Sequence, residues 1–282
     1  MLVIDETGDL KKGIQSVGVQ RQYSGTAGRI ENAQVAVYLV YASDAGHAMI
    51  DRELYVPRGW IEDPVRCRAA GIPEQVGFAT KPALATQMLT RALDAGVPTA
   101  WVTGDEVYGA DPGLRAELET RGIGYVLAVA CDHPVLAAGD RYRADALLRR
   151  VPARAWQCVS AGRGAKGHRL YDWAFVRLDD RGPHPGGQHW LLARCNRTTR
   201  ELAFYHCWTP RRSPWLPWPG SPDAAGPSRS ASRPPRACVA WTSTRSVAGA
   251  PGTAGPRWPW LPMPSWWWPP ALNEPATHRR PG

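Results

Sequence analysis

The sequence lacks a long apolar segment. None of its runs of apolar residues reaches the roughly 20 residues that a membrane-spanning helix needs. Its first residues, MLVIDETGDLKK, place acidic residues where a secretory signal peptide has a basic start followed by an apolar run. Both absences argue against a membrane partner, and they predict a cytoplasmic protein.

Common catalytic and metal-binding motifs are also missing. The six cysteines form no CxxC pair, and their spacing is typical of neither a zinc site nor a disulfide framework. GxSxG and HExxH do not occur, and the seven histidines form no ligand cluster along the sequence. Residues 162–167 (GRGAKG) match GxGxxG, but they stand between two strand patterns. We therefore expect a hairpin loop there and no dinucleotide site.

An excess of positive charge is confined to the last quarter of the chain. The whole sequence has a formal net charge of +9. Residues 1–208 hold 25 Lys and Arg against 23 Asp and Glu, whereas residues 209–282 hold nine Arg, no Lys and two acidic residues. The overall charge therefore gives little support for DNA binding by residues 1–208.

Strand-like and helix-like patterns alternate over residues 1–150. The strand patterns are 2–4, ending at Asp5; 35–41 and 47–56, forming a hairpin; 99–103, ending at Gly104 and Asp105; and 125–130. The helix patterns are 80–96, with Thr80 as cap, and 111–121, with Asp111 as cap. This order predicts an α/β fold with an RNase H-like core over residues 1–150.

The remaining residues differ sharply in character before and after Trp208. Four strand patterns separated by Gly-rich or Asn-rich turns predict a β-rich insertion over residues 151–208. Beyond Trp208 lie 17 of the 27 prolines and eight of the 14 tryptophans, and the prolines are too closely spaced for a helix. We expect a disordered tail rich in Pro, Trp and Arg over residues 209–282. The alternative is a genuine Pro/Trp-rich linker or polyproline II ligand.

Two aspartates stand at the ends of predicted strands, Asp5 and Asp105. An RNase H-like order makes these strands neighbours, so both carboxylates would face one crevice at the carboxyl edge of the sheet. Two-metal phosphodiester chemistry needs such converging carboxylates, because Mg²⁺ prefers hard oxygen ligands. Glu6 and Glu106 are weaker candidates, since strand alternation or a loop turns them elsewhere. A role in a turn or helix cap is the alternative for the two aspartates.

Longer segments of the sequence resemble a known family. IDETGDLKKG, FATKPALA, WVTGDEVYGADPGLR and the stretch from SVGVQRQY to VYLVYAS are similar to the DDE transposases of bacterial insertion sequences, specifically the insertion sequence 701-like group. The similarity runs over residues 2–208 almost continuously. It implies that Asp5 and Asp105 are the first two catalytic acids and ligands of Mg²⁺, or of Mn²⁺ as a substitute.

The resemblance also implies an activity and partners. Such enzymes cleave double-stranded DNA at transposon ends and transfer the strands to a target, so DNA is the expected partner, in a bacterial cytoplasm and on the nucleoid when bound. A homo-oligomer is a possible assembly. Four basic residues that follow Asp5 closely, Lys11, Lys12, Arg21 and Arg29, are candidates for contacts with DNA phosphates. A solvated basic face explains these four residues equally well.

Two departures from the family pattern predict impaired activity. Such transposases carry a substantial region before the first Asp, whereas Asp5 is the fifth residue here, so we expect an N-terminal truncation. The family's third acid, a Glu on a helix after the β-insertion in an RRWxVEE-like stretch, is absent from the sequence. Codons read one base out of frame permit Arg-Arg-Trp at residues 223–226 and Val-Glu-Glu at residues 227–230. We therefore expect a frameshift after about residue 208 and an inactive fragment. The alternative is a non-catalytic DNA-binding remnant that modulates an intact transposase.

Overall fold

The computed structural model describes residues 1–24, 28–164, 167–179 and 186–210, without the side chains of Ser24 and residues 161–169. The predicted tail lies outside these residues from position 211 onward. Thr209 and Pro210 still belong to the last described strand, so this strand ends two residues later than expected. Within the described ranges, no helix is long and apolar enough to cross a membrane.

The described chain consists of strands and short helices in an order that begins and ends with strands. The strands are β1 (Leu2–Leu10), β2 (Gln20–Ser24), β3 (Arg29–Ser43), β4 (Gly46–Tyr55), β5 (Trp101–Gly104), β6 (Gly124–Val129), β7 (Pro134–Ala137), β8 (Asp140–Arg143), β9 (Gln157–Gly164), β10 (Gly167–Arg177), β11 (Gly187–Asn196) and β12 (Leu202–Pro210). The helices are α1 (Arg58–Ile61), α2 (Pro64–Ala69), α3 (Lys81–Asp94), α4 (Glu106–Gly109), α5 (Pro112–Thr120) and α6 (Ala144–Leu148).

One large mixed sheet organises the fold. Its order is β2-β3-β1-β5-β6-β12-β11-β10-β9, and β4 pairs with β3 off this path. β1 is antiparallel to β3 but parallel to β5, and β6 is parallel to β5. β12 pairs directly with β6 in antiparallel orientation, so the β-rich segment extends the sheet of the first 150 residues. The fold is therefore mixed α/β around a single ten-stranded sheet, with β7 and β8 forming a separate ribbon.

The main core lies between this sheet and the helices α3 and α5. Alternate residues of β1 and β3 point into it, because successive side chains of a strand face opposite sides. The core joins Leu2 and Ile4 of β1, Val37 and Leu39 of β3, Leu84, Met88 and Leu89 of α3, and Leu114 and Leu118 of α5. Burial of these side chains fixes the two helices over β1 and β5, which places the ends of both strands beside the start of α3.

Several sequence-based expectations are confirmed. The hairpin of β3 and β4 forms, and Gly164 pairs with Gly167 across the GRGAKG hairpin. Thr80 caps α3 by accepting a hydrogen bond from the Ala83 N–H, and Asp111 caps α5 by accepting one from the Leu114 N–H. These cap residues supply the acceptors that the first turn of a helix lacks. Local sequence signals therefore located these helices well.

The expectation that the first strand ends at Asp5 is wrong. β1 continues to Leu10, because its antiparallel pairing with β3 runs from Leu2↔Tyr41 to Leu10↔Ala33. Only the parallel pairing with β5 stops early, at Val3↔Thr103. Residues 6–9 carry polar side chains or glycine and lie on a less buried part of the sheet, and Leu10 is exposed, so this half of the strand has no apolar signature. Asp5 lies within a strand, just past the point where its neighbour β5 ends.

Candidate active site

Asp5 and Asp105 occupy equivalent positions on two neighbouring parallel strands. Val3 of β1 pairs with Thr103 of β5, and each aspartate follows two residues later in its chain. Asp105 also caps α4, since its Oδ1 accepts a hydrogen bond of 2.9 Å from the Val107 N–H. Asp5 Oδ1 accepts one of 2.8 Å from the Glu6 N–H. Each carboxylate is thus oriented by a backbone donor next to it in sequence.

The structure brings three carboxylates together at this edge of the sheet. One carboxylate oxygen from each of Asp5, Glu6 and Asp105 lies within 4.8 Å of the other two, and all three residues are partly buried. Strand alternation would turn Glu6 away from Asp5, yet its longer side chain reaches back to the group. Glu106 is exposed on α4 and is not in this cluster of the described residues. An all-carboxylate donor set suits a hard divalent cation such as Mg²⁺ or Mn²⁺.

Glu6 is held by two partners from distant parts of the chain. The Lys81 ammonium lies 2.8 Å from Glu6 Oε1, and the Tyr108 hydroxyl donates to Glu6 Oε2 at 2.5 Å. Both members of the ion pair are largely shielded, with 23% of the Lys81 and 19% of the Glu6 side chain exposed. Water therefore screens this pair less than a surface pair. Sequence reasoning missed Lys81 and Tyr108, although both lie in the segments that carry the family resemblance.

Tyr108 remains a hydrogen-bond donor over the whole accessible pH range. It is fully buried. Its burial, and then the negative charges of Glu6, Asp105 and Asp5, raise the pKa of its phenol far above the ordinary value. A phenolate beside three carboxylates would add a fourth negative charge in a poorly solvated place. The hydroxyl therefore stays protonated and fixes Glu6 Oε2.

Two glycines of the WVTGDEVYG segment allow α4 to pack closely on the sheet. A Cβ at Gly109 would lie 1.8 Å from the Ala128 carbonyl oxygen of β6. A Cβ at Gly104 would lie 3.3 Å from the Tyr108 side chain, tighter than most real contacts. The short helix therefore needs glycine at its end and before its cap. This close approach sets where Asp105 and Tyr108 stand relative to β1.

Three histidines that are far apart in sequence form a second polar cluster. His189 Nδ1 lies 3.3 Å from His206 Nε2, and His206 Nδ1 lies 3.4 Å from His133 Nε2. At its other end, His189 Nε2 lies 3.9 Å from the buried carboxylate of Glu119, which accepts a hydrogen bond of 2.8 Å from the Tyr125 hydroxyl. No ligand spacing along the chain indicates this cluster, because the register between β11 and β12 brings the histidines together.

Burial disfavours the protonated form of two of the three histidines. It lowers the pKa of His206 well below the ordinary value, with additional repulsion from Arg115 and the other two histidines. The pKa of His133 falls to about 4, mainly through burial and then through Arg115. The cluster joins α5, β6, β11 and β12, and it adjoins a cavity of about 200 Å³ that Arg115 and Asp179 also line. The cluster lies where the strands of the first 150 residues meet strands β9 to β12. Its position indicates a structural role.

Comparison with known proteins identifies the family of the chain. Residues 1–156 match the family model of the DDE superfamily endonucleases. The chain is also similar to a protein of Microchaete diplosiphon described as a probable transposase for insertion sequence element IS701. The two are 31% identical over 137 residues, which make up 48% of this chain and 33% of that protein. The chain thus aligns with about a third of the length of this relative.

Proposed function

Because the chain belongs to the DDE superfamily of endonucleases, we propose that it is part of a DNA transposase. The intact enzyme would cut double-stranded DNA at the ends of an insertion sequence and join those ends to target DNA. The observation that carries this proposal is the convergence of Asp5, Glu6 and Asp105 at the point where β5 ends beside β1. Substrate, reaction and metal ion all follow from that carboxylate cluster together with the family.

The sheet order supports an RNase H-like core for residues 1–150. Within the large sheet, the strands follow the order β4-β3-β1-β5-β6. β3 is antiparallel to both of its long neighbours, whereas β5 and β6 run parallel to β1. Strands β9 to β12 then correspond to the β-rich insertion proposed for residues 151–208. In such open sheets, ligands bind at the carboxyl ends of the parallel strands. Asp105 follows the end of β5, and Asp5 lies beside it within β1.

Asp5 and Asp105 are the proposed holders of Mg²⁺, with Mn²⁺ as a substitute. The bound ions would supply positive charge at the reacting phosphate and would make water or a hydroxyl a better nucleophile. The chain itself supplies orientation. The N–H groups of Glu6 and Val107 fix the two aspartates, and the carboxylate of Glu6 holds Lys81 beside them. The Lys81 charge offsets repulsion between this acidic edge and DNA phosphates.

The proposed chemistry is two successive displacements at phosphorus. In cleavage, a water oxygen bonds to phosphorus as the bond to the 3′ oxygen breaks, and the 3′ oxygen leaves with a proton as a hydroxyl. In strand transfer, that 3′ hydroxyl loses its proton and its oxygen bonds to a phosphorus of the target, whose own 3′ oxygen leaves. Catalysis of both steps rests on positioning and charge stabilisation.

We propose that the chain is inactive or severely impaired as it stands. Of the described acidic residues, Glu6 alone joins the two aspartates. Both of its oxygens are engaged, one by Lys81 and the other by Tyr108. The Lys81 ammonium competes with a metal ion for Glu6, which makes Glu6 a poor replacement for the family's third acid. Without a third carboxylate a second metal ion is poorly fixed, and the in-line geometry is lost.

Strand transfer with preformed 3′ ends tests this proposal. Short duplexes with free 3′ hydroxyls, at high concentration, bypass a defect in end recognition. We expect no joined products from the chain as it stands in Mg²⁺, residual nicking at most in Mn²⁺, and strand transfer after one base is restored near codon 210. Asp105→Ala should abolish the restored activity. Joining by the unrepaired chain that Asp105→Ala abolishes would contradict the proposed inactivity, whereas a restored chain indifferent to Asp105→Ala would contradict the proposed site.

A non-catalytic DNA-binding remnant that modulates an intact transposase is the second candidate. A pocket lined by Arg21 and Arg66, and by no acidic side chain among the described residues, favours it. A gel shift on element-end DNA tests this alternative. If binding disappears at modestly raised salt and shows no sequence preference, it is nonspecific electrostatic attraction, which contradicts this alternative.

A further inference from the structure

A second polar pocket lies at the far end of β1, away from the carboxylates. Its volume is about 420 Å³. Two guanidinium groups, from Arg21 and Arg66, and three side-chain amides, from Gln15, Gln20 and Asn32, line it. No carboxylate lines it in the part of the chain that the structure describes. Its donors therefore suit an anion that also accepts hydrogen bonds, as a phosphodiester does.

Arg66 is fixed in place before any ligand arrives. Its guanidinium stacks 3.6 Å from the centre of the Trp60 ring and donates a hydrogen bond of 2.8 Å to the Ile14 carbonyl. Trp60 is itself buried, and its indole N–H donates to the Val19 carbonyl at 2.8 Å. A guanidinium has five N–H donors in a rigid fork, and a held one loses little entropy when it binds.

Arg21 stands on the same face of the β2–β3 ribbon as two exposed apolar residues. It pairs with Asn32, and the next pair on that face is Tyr23 with Ile30. Tyr23 is 63% and Ile30 57% exposed, which is unusual for side chains of this size. A surface that combines a cation, an amide and exposed apolar side chains suits contacts with the phosphates, sugars and base edges of a nucleic acid.

The four basic residues singled out in the sequence are therefore not equivalent. Arg29 pairs with Ser24 and so points to the opposite face of the ribbon. Its Nε lies 2.8 Å from Glu31, which neutralises its charge locally. Arg21 makes no ion pair among the described residues and lines the pocket. Lys11 and Lys12 directly follow the end of β1.

The distance from the carboxylates matches a short length of DNA. Leu10 pairs with Ala33, which also pairs with Gln20 beside Arg21. Five residues of strand separate Asp5 from Leu10, which is about 17 Å at roughly 3.4 Å per residue. β2 also lies two strand spacings of about 4.8 Å from β1. The pocket is therefore about 20 Å from a bond held at Asp5 and Asp105, or about six base pairs of B-DNA at roughly 3.4 Å each.

We propose that the pocket between Arg21 and Arg66 binds the phosphodiester backbone of duplex DNA about six base pairs from the bond held at the carboxylates. This inference rests on the proposed function, since it takes DNA as the ligand. It adds an anchor that the family match does not assign. The anchor places duplex DNA along β1, with its backbone on the basic pocket and its reacting phosphate at the acidic edge.

DNA binding by the full chain in EDTA tests the anchor without any contribution from metal ions. The probe is a fluorescent 20-base-pair duplex of arbitrary sequence, followed by anisotropy at several salt concentrations. Arg21→Gln should weaken binding about 5- to 10-fold and lower the slope of log affinity against log salt by about 1, as loss of one phosphate contact does. Arg149→Gln removes an equal charge from an exposed position at the end of α6 and should change affinity less than about 2-fold.

Hydrogen–deuterium exchange locates the contact, because the arginine-rich residues 211–282 also attract DNA. The duplex should slow exchange in Gln20–Ser24, and Arg21→Gln should remove that protection. Unchanged affinity of Arg21→Gln, or protection confined to residues 211–282, would overturn the anchor. Arg66→Lys, which keeps the charge but loses the planar fork, should weaken binding with a retained salt slope. Mn²⁺ binding to Asp5 and Asp105 is measured separately, so the anchor and the metal site can fail independently.

Discussion

The carboxylate edge, formed by Asp5, Glu6 and Asp105, and the histidine cluster are both polar networks of the same sheet. They differ in how burial affects charged groups. The acidic groups of the edge are half-buried and lie where β5 ends beside β1, so that a cation from solvent can reach them. The histidines are packed between β11, β12 and the segment after β6, and burial lowers the pKa of His206 and His133. The acidic side chains thus lie where a cation can offset their charge, whereas burial disfavours a charge on His206 and His133.

The largest effect is expected at Gly109, which allows α4 and its cap Asp105 to pack closely on β6. In Gly109→Ala the new methyl group would collide with the Ala128 carbonyl oxygen at 1.8 Å, so α4 must move away from β6. We expect a loss of about 3 kcal/mol or more in the free energy of unfolding, measured by urea denaturation, and a displaced Asp105. Gly59→Ala is the matched control, because nothing lies within 4 Å of its added methyl group. Equal stability of the two variants would show that α4 is not seated as described.

Mild acid should lower the free energy of unfolding through the histidine cluster. Above about pH 7 the histidines are neutral in the folded and unfolded chain, so stability is flat there. As pH falls below the ordinary histidine pKa near 6.5, the unfolded chain binds protons that buried His206 refuses, and stability falls. His133 adds to the loss until pH approaches its folded pKa of about 4. Arg115 and neighbouring His189 oppose protonation, whereas Glu119 near His189 favours it there.

Thermal melts between pH 7.5 and 5.5 measure this effect. At one pH unit below the histidine pKa of the unfolded chain, a histidine that stays neutral in the folded protein lowers the free energy of unfolding by about 1.4 kcal/mol. For a chain of this size, this loss lowers the melting temperature by about 3 to 6 °C. His206→Gln should flatten the profile even if it melts lower at pH 7.5. His47→Gln, at an exposed position of β4, should keep the slope of the unmodified chain. A flat profile before mutation would contradict the neutral cluster.

A smaller effect is expected from the ion pair inside the carboxylate edge. Glu6→Gln, Lys81→Met and their double variant form a thermodynamic cycle. We expect a coupling energy of about 1 kcal/mol, because the pair is shielded from water and Tyr108 fixes its geometry. The matched control is Arg29 with Glu31, whose side chains are 72% and 38% exposed. Its coupling should be near zero, and equal coupling in both pairs would contradict the account of a shielded edge.

Sequence reasoning succeeded where a structural feature depends on neighbouring residues. Thr80 and Asp111 each precede a proline at the start of a helix, and both caps form. The hairpin of β3 and β4 follows from an apolar run, a turn and a second strand pattern. Asp5 and Asp105 were found because a carboxylate that follows a buried strand is a local signal, supported by the family resemblance.

It failed where the feature depends on pairing between distant segments. β2, with the sequence QRQYS, has no apolar pattern and exists because it pairs with β3. The cluster of His133, His189 and His206 depends on the register between β11 and β12 and on a segment some 70 residues earlier. Glu6 points to the carboxylates because Lys81 and Tyr108 meet it there. None of these partners can be identified from spacing along the chain.

Binding of Mn²⁺ to the purified full chain tests the central claim most directly. Electron paramagnetic resonance of Mn²⁺ in titrations counts free ions and reports the ions bound. We predict a site whose affinity falls by about 100-fold or more in Asp5→Asn and in Asp105→Asn, because each substitution removes one hard anionic ligand of the cluster. Glu106→Gln, one residue further along the chain and exposed, should leave the affinity unchanged. Equal Mn²⁺ affinity in Asp105→Asn and Glu106→Gln would contradict the assignment of the carboxylate edge as a metal site.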